Sequence, residues 1–293
     1  MAMKQYDDPA ALAAALDKTD YIADEGLATA AFLALRMGRP LFLEGDAGVG
    51  KTALAQALAQ VLDAKLIRLQ CYEGIDASQA LYDWDFARQM LHLRAAETDK
   101  AADRNEIEHE LYDRRFLIAR PLLQALETSP SVLLIDELDR ADDEFEAFLL
   151  EVLAESSVTI PELGTIKAET PPLTVITSNR TREVHDALKR RCLYHWVAHP
   201  SFDREVEIIR RRLPGVSESL SRQVATAVGT LRKADLLKPP GVAEAIDWAQ
   251  ALQLLGVREL SPESAAKSLG AVLKYREDAE RVISGDLDKL LGG

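Results

Sequence analysis

The stretch Gly45–Thr52 reads GDAGVGKT, and no other segment constrains this chain so tightly. It satisfies G-x-x-x-x-G-K-[ST], a loop whose backbone amides cradle phosphate, provided a strand precedes it and a helix follows. Both are predicted. Pro40–Glu44 (PLFLE) is a short apolar run after the breaker Gly38-Arg39, which reads as a buried strand. Lys51–Leu62 (KTALAQALAQVL) is rich in Ala and Leu and reads as a helix. Gly45, Gly48 and Gly50 permit backbone conformations that a β-carbon forbids, so N–H groups can converge on an anion in front of the helix N-terminus. Lys51 would reach the β- and γ-phosphates and Thr52 would ligate Mg2+. Asp46, Ala47 and Val49 complete the nucleotide-binding loop.

The rest of the chain supplies alternating strands and helices. Lys65–Cys71, Val132–Ile135, Leu173–Thr177 and Leu193–Val197 read as strands. Glu25–Met37, Glu144–Ala154 and Glu183–Arg190 read as helices, and Leu117–Leu126 has helical spacing. Val158–Lys167 suggests a small hairpin. Tyr82, Trp84 and Phe86 alternate with Asp83 and Asp85, the period of a strand, so the three aromatics would share one face. They would either pack on the core or stand exposed to grip a partner. The charged stretch Glu97–Glu110 reads as a solvated helix or a mobile loop. Beyond Pro200 the pattern is helical throughout. The fold class is therefore α/β, a parallel-sheet P-loop core over residues 1–200 with an insert at about 75–116. An all-helical domain would follow over 201–293.

Two strand tips carry chemistry. Val132–Glu137 (VLLIDE) delivers Asp136 to the carboxyl end of a buried strand, where ligands bind in such sheets. Asp136 would hold the metal, through water or through Thr52, and Glu137 would polarise an attacking water. Leu173–Asn179 (LTVITSN) ends in an amide that could donate to the γ-phosphate, orient the water, or simply cap the next turn. Lys189, Arg190 and Arg191 close a helix, where cations are favoured for local reasons alone. Cys192, His195 and His199 form C-x-x-H-x-x-x-H, half of a zinc pattern with no second half.

Charge narrows the partners. Lys+Arg is 35 against 48 Asp+Glu, a formal balance of −13, which argues against sequence-independent nucleic-acid binding. With two cysteines there is no disulfide framework, and a reducing cytoplasm fits. Charges interrupt every apolar stretch, so no integral membrane segment is expected.

A P-loop, then VLLIDE, then a strand ending in Asn, then ALKRRC and a helical tail together resemble the AAA+ ATPases. The opening GRPLFLEGDAGVGKT is similar to that of the MoxR branch. Pro240–Trp248 (PGVAEAIDW) and Leu269–Tyr275 (LGAVLKY) resemble its CoxD-type members, which are linked to maturation of molybdenum-containing carbon monoxide dehydrogenase. The resemblance implies ATP and Mg2+ as ligands, with Asp136 and Glu137 as metal carboxylate and catalytic base and Asn179 as a sensor. Arg191, or its neighbour Arg190, would be an arginine finger acting on an adjacent subunit. Tyr21 and Ile22 would lie in the adenine pocket. It further implies a homo-oligomer, a hexameric ring, with a von Willebrand factor A-domain partner and a metalloenzyme client. Many relatives carry a lid arginine where this chain has Glu244. Arg232, Lys233 or Lys238 would substitute, or that sensor is missing. A nucleic-acid motor and a small-molecule kinase are the competing readings. The charge opposes the first, and Glu137 with Arg191 opposes the second.

Overall fold

The computed structural model describes residues 4–97 and 110–285. Helices α1 (Pro9–Asp17) and α2 (Glu25–Met37) precede strand β1 (Leu41–Glu44), helix α3 (Lys51–Val61) and β2 (Lys65–Gln70). An inserted group follows: α4 (Ala77–Leu81), β3 (Tyr82–Trp84), α5 (Phe86–Glu97) and β4 (Leu117–Ala119). The chain continues through α6 (Pro121–Glu127), β5 (Ser131–Asp136), α7 (Asp143–Glu155), the hairpin β6 (Ser157–Ile160) and β7 (Gly164–Lys167), β8 (Leu173–Ser178), α8 (Asp186–Arg191) and β9 (Leu193–Trp196). Helices α9 (Phe202–Arg212), α10 (Glu218–Lys233), α11 (Val242–Leu254), α12 (Pro262–Val272) and α13 (Arg276–Ser284) complete it.

Five strands pair in parallel in the order β2-β5-β8-β1-β9. The three central strands β5, β8 and β1 are near-continuously apolar because both their faces are buried, whereas the edge strands β2 and β9 alternate. Leu41, Leu43, Val132, Leu134 and Val175 point to one side, against Leu16, Leu27, Leu54 and Leu58 of α1, α2 and α3. Phe42, Ile67, Leu69, Leu133 and Ile135 point to the other, against Leu122, Leu123, Phe145 and Leu149. Parallel pairing brings the carboxyl ends of β1, β5 and β8 side by side, with Glu44 opposite Ser178 and Ile135 opposite Ile176.

The structure corrects three sequence expectations. The aromatic alternation stops at Trp84. Phe86 opens α5, because the Asp85 side chain accepts the Arg88 amide and starts a helix there. Tyr82 and Trp84 pack on the core, whereas Phe86 is 66% exposed, so the three do not share a strand face. Leu117–Ala119 is not helical but pairs antiparallel with β3, and the helix begins only at Pro121. Proline suits the first helical turn and disfavours helix in the residue before it. The helix anticipated from Glu183 starts at Asp186, where His185 accepts the Ala187 amide as its cap. Most of Glu97–Glu110 lies outside the described residues.

From residue 201 onward the described residues contain helices and loops and no strand. They form a core of their own around Trp248, whose indole N–H donates to Ser268 Oγ at 2.7 Å. This helical unit docks on the sheet domain. Arg204 pairs with Asp24, Arg211 with Asp17, and the Val242 amide donates to the Gly48 carbonyl at 3.0 Å. Among the described residues no helix is long and apolar enough to cross a membrane.

Candidate functional site

A cavity of about 470 Å³ opens at the carboxyl end of the sheet, within the range of small-molecule sites. Its floor is the loop Ala47–Thr52. Asp136, Glu137, Thr177 and Asn179 form one wall, Thr19–Ile22 another, and the helical unit closes it with Arg204, Ile208, Arg212 and Val242. Tyr21 and Ile22 therefore lie on the same cavity as the loop, and Tyr21 Oη donates to the Gly50 carbonyl at 3.3 Å. Burial pushes that phenol well above its usual range.

The loop adopts the backbone its glycines permit. Gly48 has φ +78 and Gly50 φ +96, a region that costs other residues about 1–2 kcal/mol. The Lys51 ammonium donates to the Gly45 and Asp46 carbonyls, each at 2.7 Å. Burial lowers its pKa, and Asp139, Asp46, Asp136 and Glu137 oppose that shift without cancelling it. Gly45 and Asp46 do not line the cavity themselves. The Asp46 carboxylate turns to His199 Nε2 at 3.2 Å.

Asp136 is 3% exposed at the tip of β5. Its Oδ1 accepts from Thr52 Oγ1 at 3.0 Å and from Thr177 Oγ1 at 2.6 Å. A hydroxyl and a carboxylate oxygen thus converge beside the phosphate loop. Such hard oxygen donors fit Mg2+, which is commonly held by one or two carboxylates together with substrate phosphates. Glu137 diverges from Asp136 because its backbone is left-handed, φ +56, a strained conformation for a glutamate. The turn is held by its amide, which donates to Thr177 Oγ1 at 2.9 Å, and by fully buried Leu138. The Glu137 carboxylate accepts from Gln70 Nε2 at 3.0 Å and from Asn179 Nδ2 at 3.4 Å, and pairs with Arg140 Nε at 3.0 Å. Asn179 is thus aimed at the acid, not spent on its own turn.

The wall is stapled by Asp139. Its carboxylate accepts the Asn179 amide at 3.1 Å, the Thr181 amide at 2.9 Å and the Thr181 hydroxyl at 2.6 Å. Burial would raise this acid, but those hydrogen bonds outweigh it and hold the pKa below the ordinary value.

Arg190 and Arg191 are exposed at the end of α8, and neither lines the cavity. Arg191 Nη1 donates to the Leu150 carbonyl at 2.6 Å, while Arg39 donates to the carbonyls of Arg190 and Arg191. Glu244 does not enter the cavity lining either. Its Oε2 accepts the Gly241 amide at 2.9 Å, capping α11. Arg232 is held by Glu205 at 2.8 and 2.6 Å, and Lys233 and Lys238 are exposed away from the cavity. The arginines that do line it are Arg204 and Arg212. With Ile208 they form one stripe of α9, at i, i+4 and i+8. Burial would raise Asp24, but the Leu27 amide and Arg204 hold it low. The zinc-like residues separate: Cys192 Sγ lies 3.2 Å from the Leu188 carbonyl, His195 faces Asp24 and His199 faces Asp46.

Sequence reading missed Gln70, Thr177, Asp139, Arg204 and Arg212. Gln70 lacked the signal used for Asn179, because it lies inside the expected strand Lys65–Cys71, which Arg68 interrupts. The α9 arginines carried only a helical stripe whose orientation the sequence does not show.

Against known proteins, the family model for the AAA domain of the dynein-related subfamily matches residues 40–192. Midasin from Giardia intestinalis is 48% identical over 48 residues, which is 16% of this chain and 1% of that protein. Among solved structures, one variant of RuvB from Thermotoga maritima superposes with a TM-score of 0.50 at 15% identity, covering 92% of this chain and 79% of that one. A second RuvB variant gives 0.51 at 17% identity, covering 95% and 83%. At such identities the likeness is one of fold.

Proposed function

The chain belongs to the dynein-related subfamily of AAA domains, and on that premise we propose that it is a Mg2+-dependent ATPase that works as a ring to remodel a protein partner. One observation carries the reading. A single cavity gathers Lys51, Thr52, Asp136, Glu137 and Asn179, and residues of the helical unit form its opposite wall. The amides of Gly48–Thr52 and the Lys51 ammonium bind the phosphates. Thr52 and Asp136 would hold Mg2+, which supplies charge neutralisation on the phosphate oxygens when bound. Glu137 polarises the attacking water, and Asn179 orients that acid from the neighbouring strand. A strained glutamate fixed by Thr177, Gln70 and Asn179 is suited to one defined direction of attack. Tyr21 and Ile22 face the base. The helical unit touches the phosphate loop directly, so a change at the phosphates reaches it without an intermediary.

Arg191, with Arg190 beside it, is the finger of this reading. It is exposed and off its own cavity, as a group serving an adjacent subunit must be. This requires a homo-oligomer, by resemblance a hexamer. The MoxR-type resemblance adds a von Willebrand factor A-domain partner and a metalloenzyme client, such as a molybdenum-containing dehydrogenase. A cytoplasmic setting fits the two free, buried cysteines.

The test is phosphate release from ATP by the parent protein, Glu137→Gln and Lys51→Ala. Glu137→Gln keeps nucleotide affinity and loses turnover, while Lys51→Ala loses binding. Turnover unchanged in Glu137→Gln overturns the assignment of the base. Mixing Arg191→Ala with Lys51→Ala subunits restores part of the activity that each lacks, since one supplies the intact site and the other the intact finger. DNA-stimulated turnover would replace the protein-remodelling reading with that of a nucleic-acid motor.

A further inference from the structure

Helix α8 ends on the two arginines read above as the finger, and it spans only six residues, Asp186–Arg191. So short a helix is marginal by itself, and its last carbonyls have no partner within it. Here each of them is taken. Cys192 Sγ lies 3.2 Å from the Leu188 carbonyl, and the Cys192 amide donates to the Lys189 carbonyl at 3.1 Å. The next three carbonyls share one side chain. Arg39 Nη2 donates to the Arg190 carbonyl at 2.7 Å and to the Cys192 carbonyl at 3.2 Å, and Arg39 Nε donates to the Arg191 carbonyl at 3.0 Å. The backbone of both finger residues is thus gripped by a guanidinium 151 and 152 residues earlier in the chain.

Arg39 stands on a firm base. Its amide donates to the Ala34 carbonyl at 3.1 Å, where Gly38 ends α2 with a left-handed turn at φ +62. Pro40 follows, and its carbonyl accepts the Leu193 amide at 2.8 Å. A positive charge at a helix C-terminus also suits the dipole. Lys189 Nζ, 3.3 Å from the buried Glu44 carboxylate, and fully buried Leu188 fix the body of α8, which leaves its tip to Arg39. The finger side chain is held more lightly than its backbone. Arg191 is exposed, and its Nη1 donates to the Leu150 carbonyl, a neutral acceptor. A phosphate oxygen is an anionic acceptor, and such hydrogen bonds are roughly twice as strong. The side chain can therefore change partner while the backbone stays.

We propose that Arg39 is a positioning residue for the arginine finger: it sets the backbone from which Arg191, with Arg190 beside it, reaches the nucleotide of an adjacent subunit. This rests on the ring and finger reading above. Loss of Arg39 displaces the tip of α8 and spares the nucleotide site of the same subunit, whose cavity Arg39 does not line. A misplacement of about 1 Å costs on the order of 10²-fold in rate, within the ~10³–10⁵ that a whole finger supplies. Lysine keeps the charge but has no planar fork to span three carbonyls.

The experiment measures phosphate release from ATP and binding of a fluorescent ADP analogue, with the full chain. Arg39→Met turns over about 10²-fold more slowly and keeps its nucleotide affinity. Arg39→Lys loses less, about tenfold, and carries the same test should the methionine variant not fold. Mixed with Lys51→Ala, whose finger is sound, either Arg39 variant regains part of its turnover. Mixed with Arg191→Ala it regains none, because both lack a working finger. Parental turnover in both Arg39 variants overturns the proposal. So does a loss that Lys51→Ala subunits do not restore, which marks damage to the variant's own site, and so does restoration by Arg191→Ala. The mixture of Arg191→Ala with Lys51→Ala is the control. If that pair fails to complement, the finger reading itself falls, and the proposal with it.

Discussion

Gly241→Ala tests whether the contact between the helical unit and the phosphate loop matters to the site. Gly241 has φ −83 and ψ −171, a backbone any residue adopts, so alanine adds no conformational strain. The effect is purely steric. A β-carbon there would lie 2.6 Å from the Ala47 carbonyl oxygen, 2.9 Å from Gly48 Cα and 2.9 Å from Glu244 Oε2. Carbon pairs settle at about 3.5–4.0 Å, so at least ~0.6 Å of separation must be found. Two of the three neighbours are loop backbone, which Lys51 braces through the Gly45 and Asp46 carbonyls. The helical unit is the part that yields. Forcing a methyl group into such a contact costs about 1–3 kcal/mol. If the docked arrangement binds nucleotide, the loss is about 5- to 150-fold in affinity. The assay is binding of a fluorescent nucleotide, with thermal unfolding as the check on integrity. Gly229→Ala is the control: it lies within α10 with nothing within 4 Å of the added carbon. It raises stability by up to about 1 kcal/mol through helix propensity and leaves affinity alone. A Gly241→Ala protein that binds and hydrolyses nucleotide like the parent refutes the idea that this contact shapes the site.

Asn179→Ala removes the side-chain donor to Glu137 but keeps the backbone link to Asp139, so turnover falls roughly 10²-fold while affinity holds. Equal losses in both would point to a collapsed wall instead. Trp248→Ala empties the centre of the helical unit and costs about 3–5 kcal/mol, read by urea unfolding. The sheet domain, whose cores do not include Trp248, keeps its own transition. Burial and Arg232 hold His199 below 6.5, although Asp46 and Glu205 pull the other way. The unfolded chain therefore takes up protons more readily as pH falls through 6.5, and the stability held by the neutral ring is lost over that window. His199→Gln flattens this slope, seen as a smaller drop in unfolding temperature between about pH 7.5 and about pH 5.5.

The reading of elements succeeded where one physical signal dominated. Strands buried on both faces must be apolar throughout, so PLFLE, VLLI and LTVIT stand out in the sequence, and their ends point to Asp136 and Asn179. It failed where two signals competed. Phe86 continues an aromatic alternation, yet Asp85 caps a helix at that place. Leu117–Ala119 fits helical spacing, yet Pro121 bars helix immediately before itself and β3 offers unpaired backbone.

The sequence alone determined the phosphate loop, the parallel sheet around it and the pair Asp136 and Glu137, because those depend on local backbone and on burial pattern. Tertiary structure alone decided which cations besides Lys51 meet the site. Arg68 reaches Asp136 from 68 residues away, Arg204 and Arg212 arrive from the helical unit, and Arg232, an equal candidate by sequence, is consumed by Glu205. A long cationic side chain has no pattern of its own. Its partner is set by which acid lies within reach once the strands have paired.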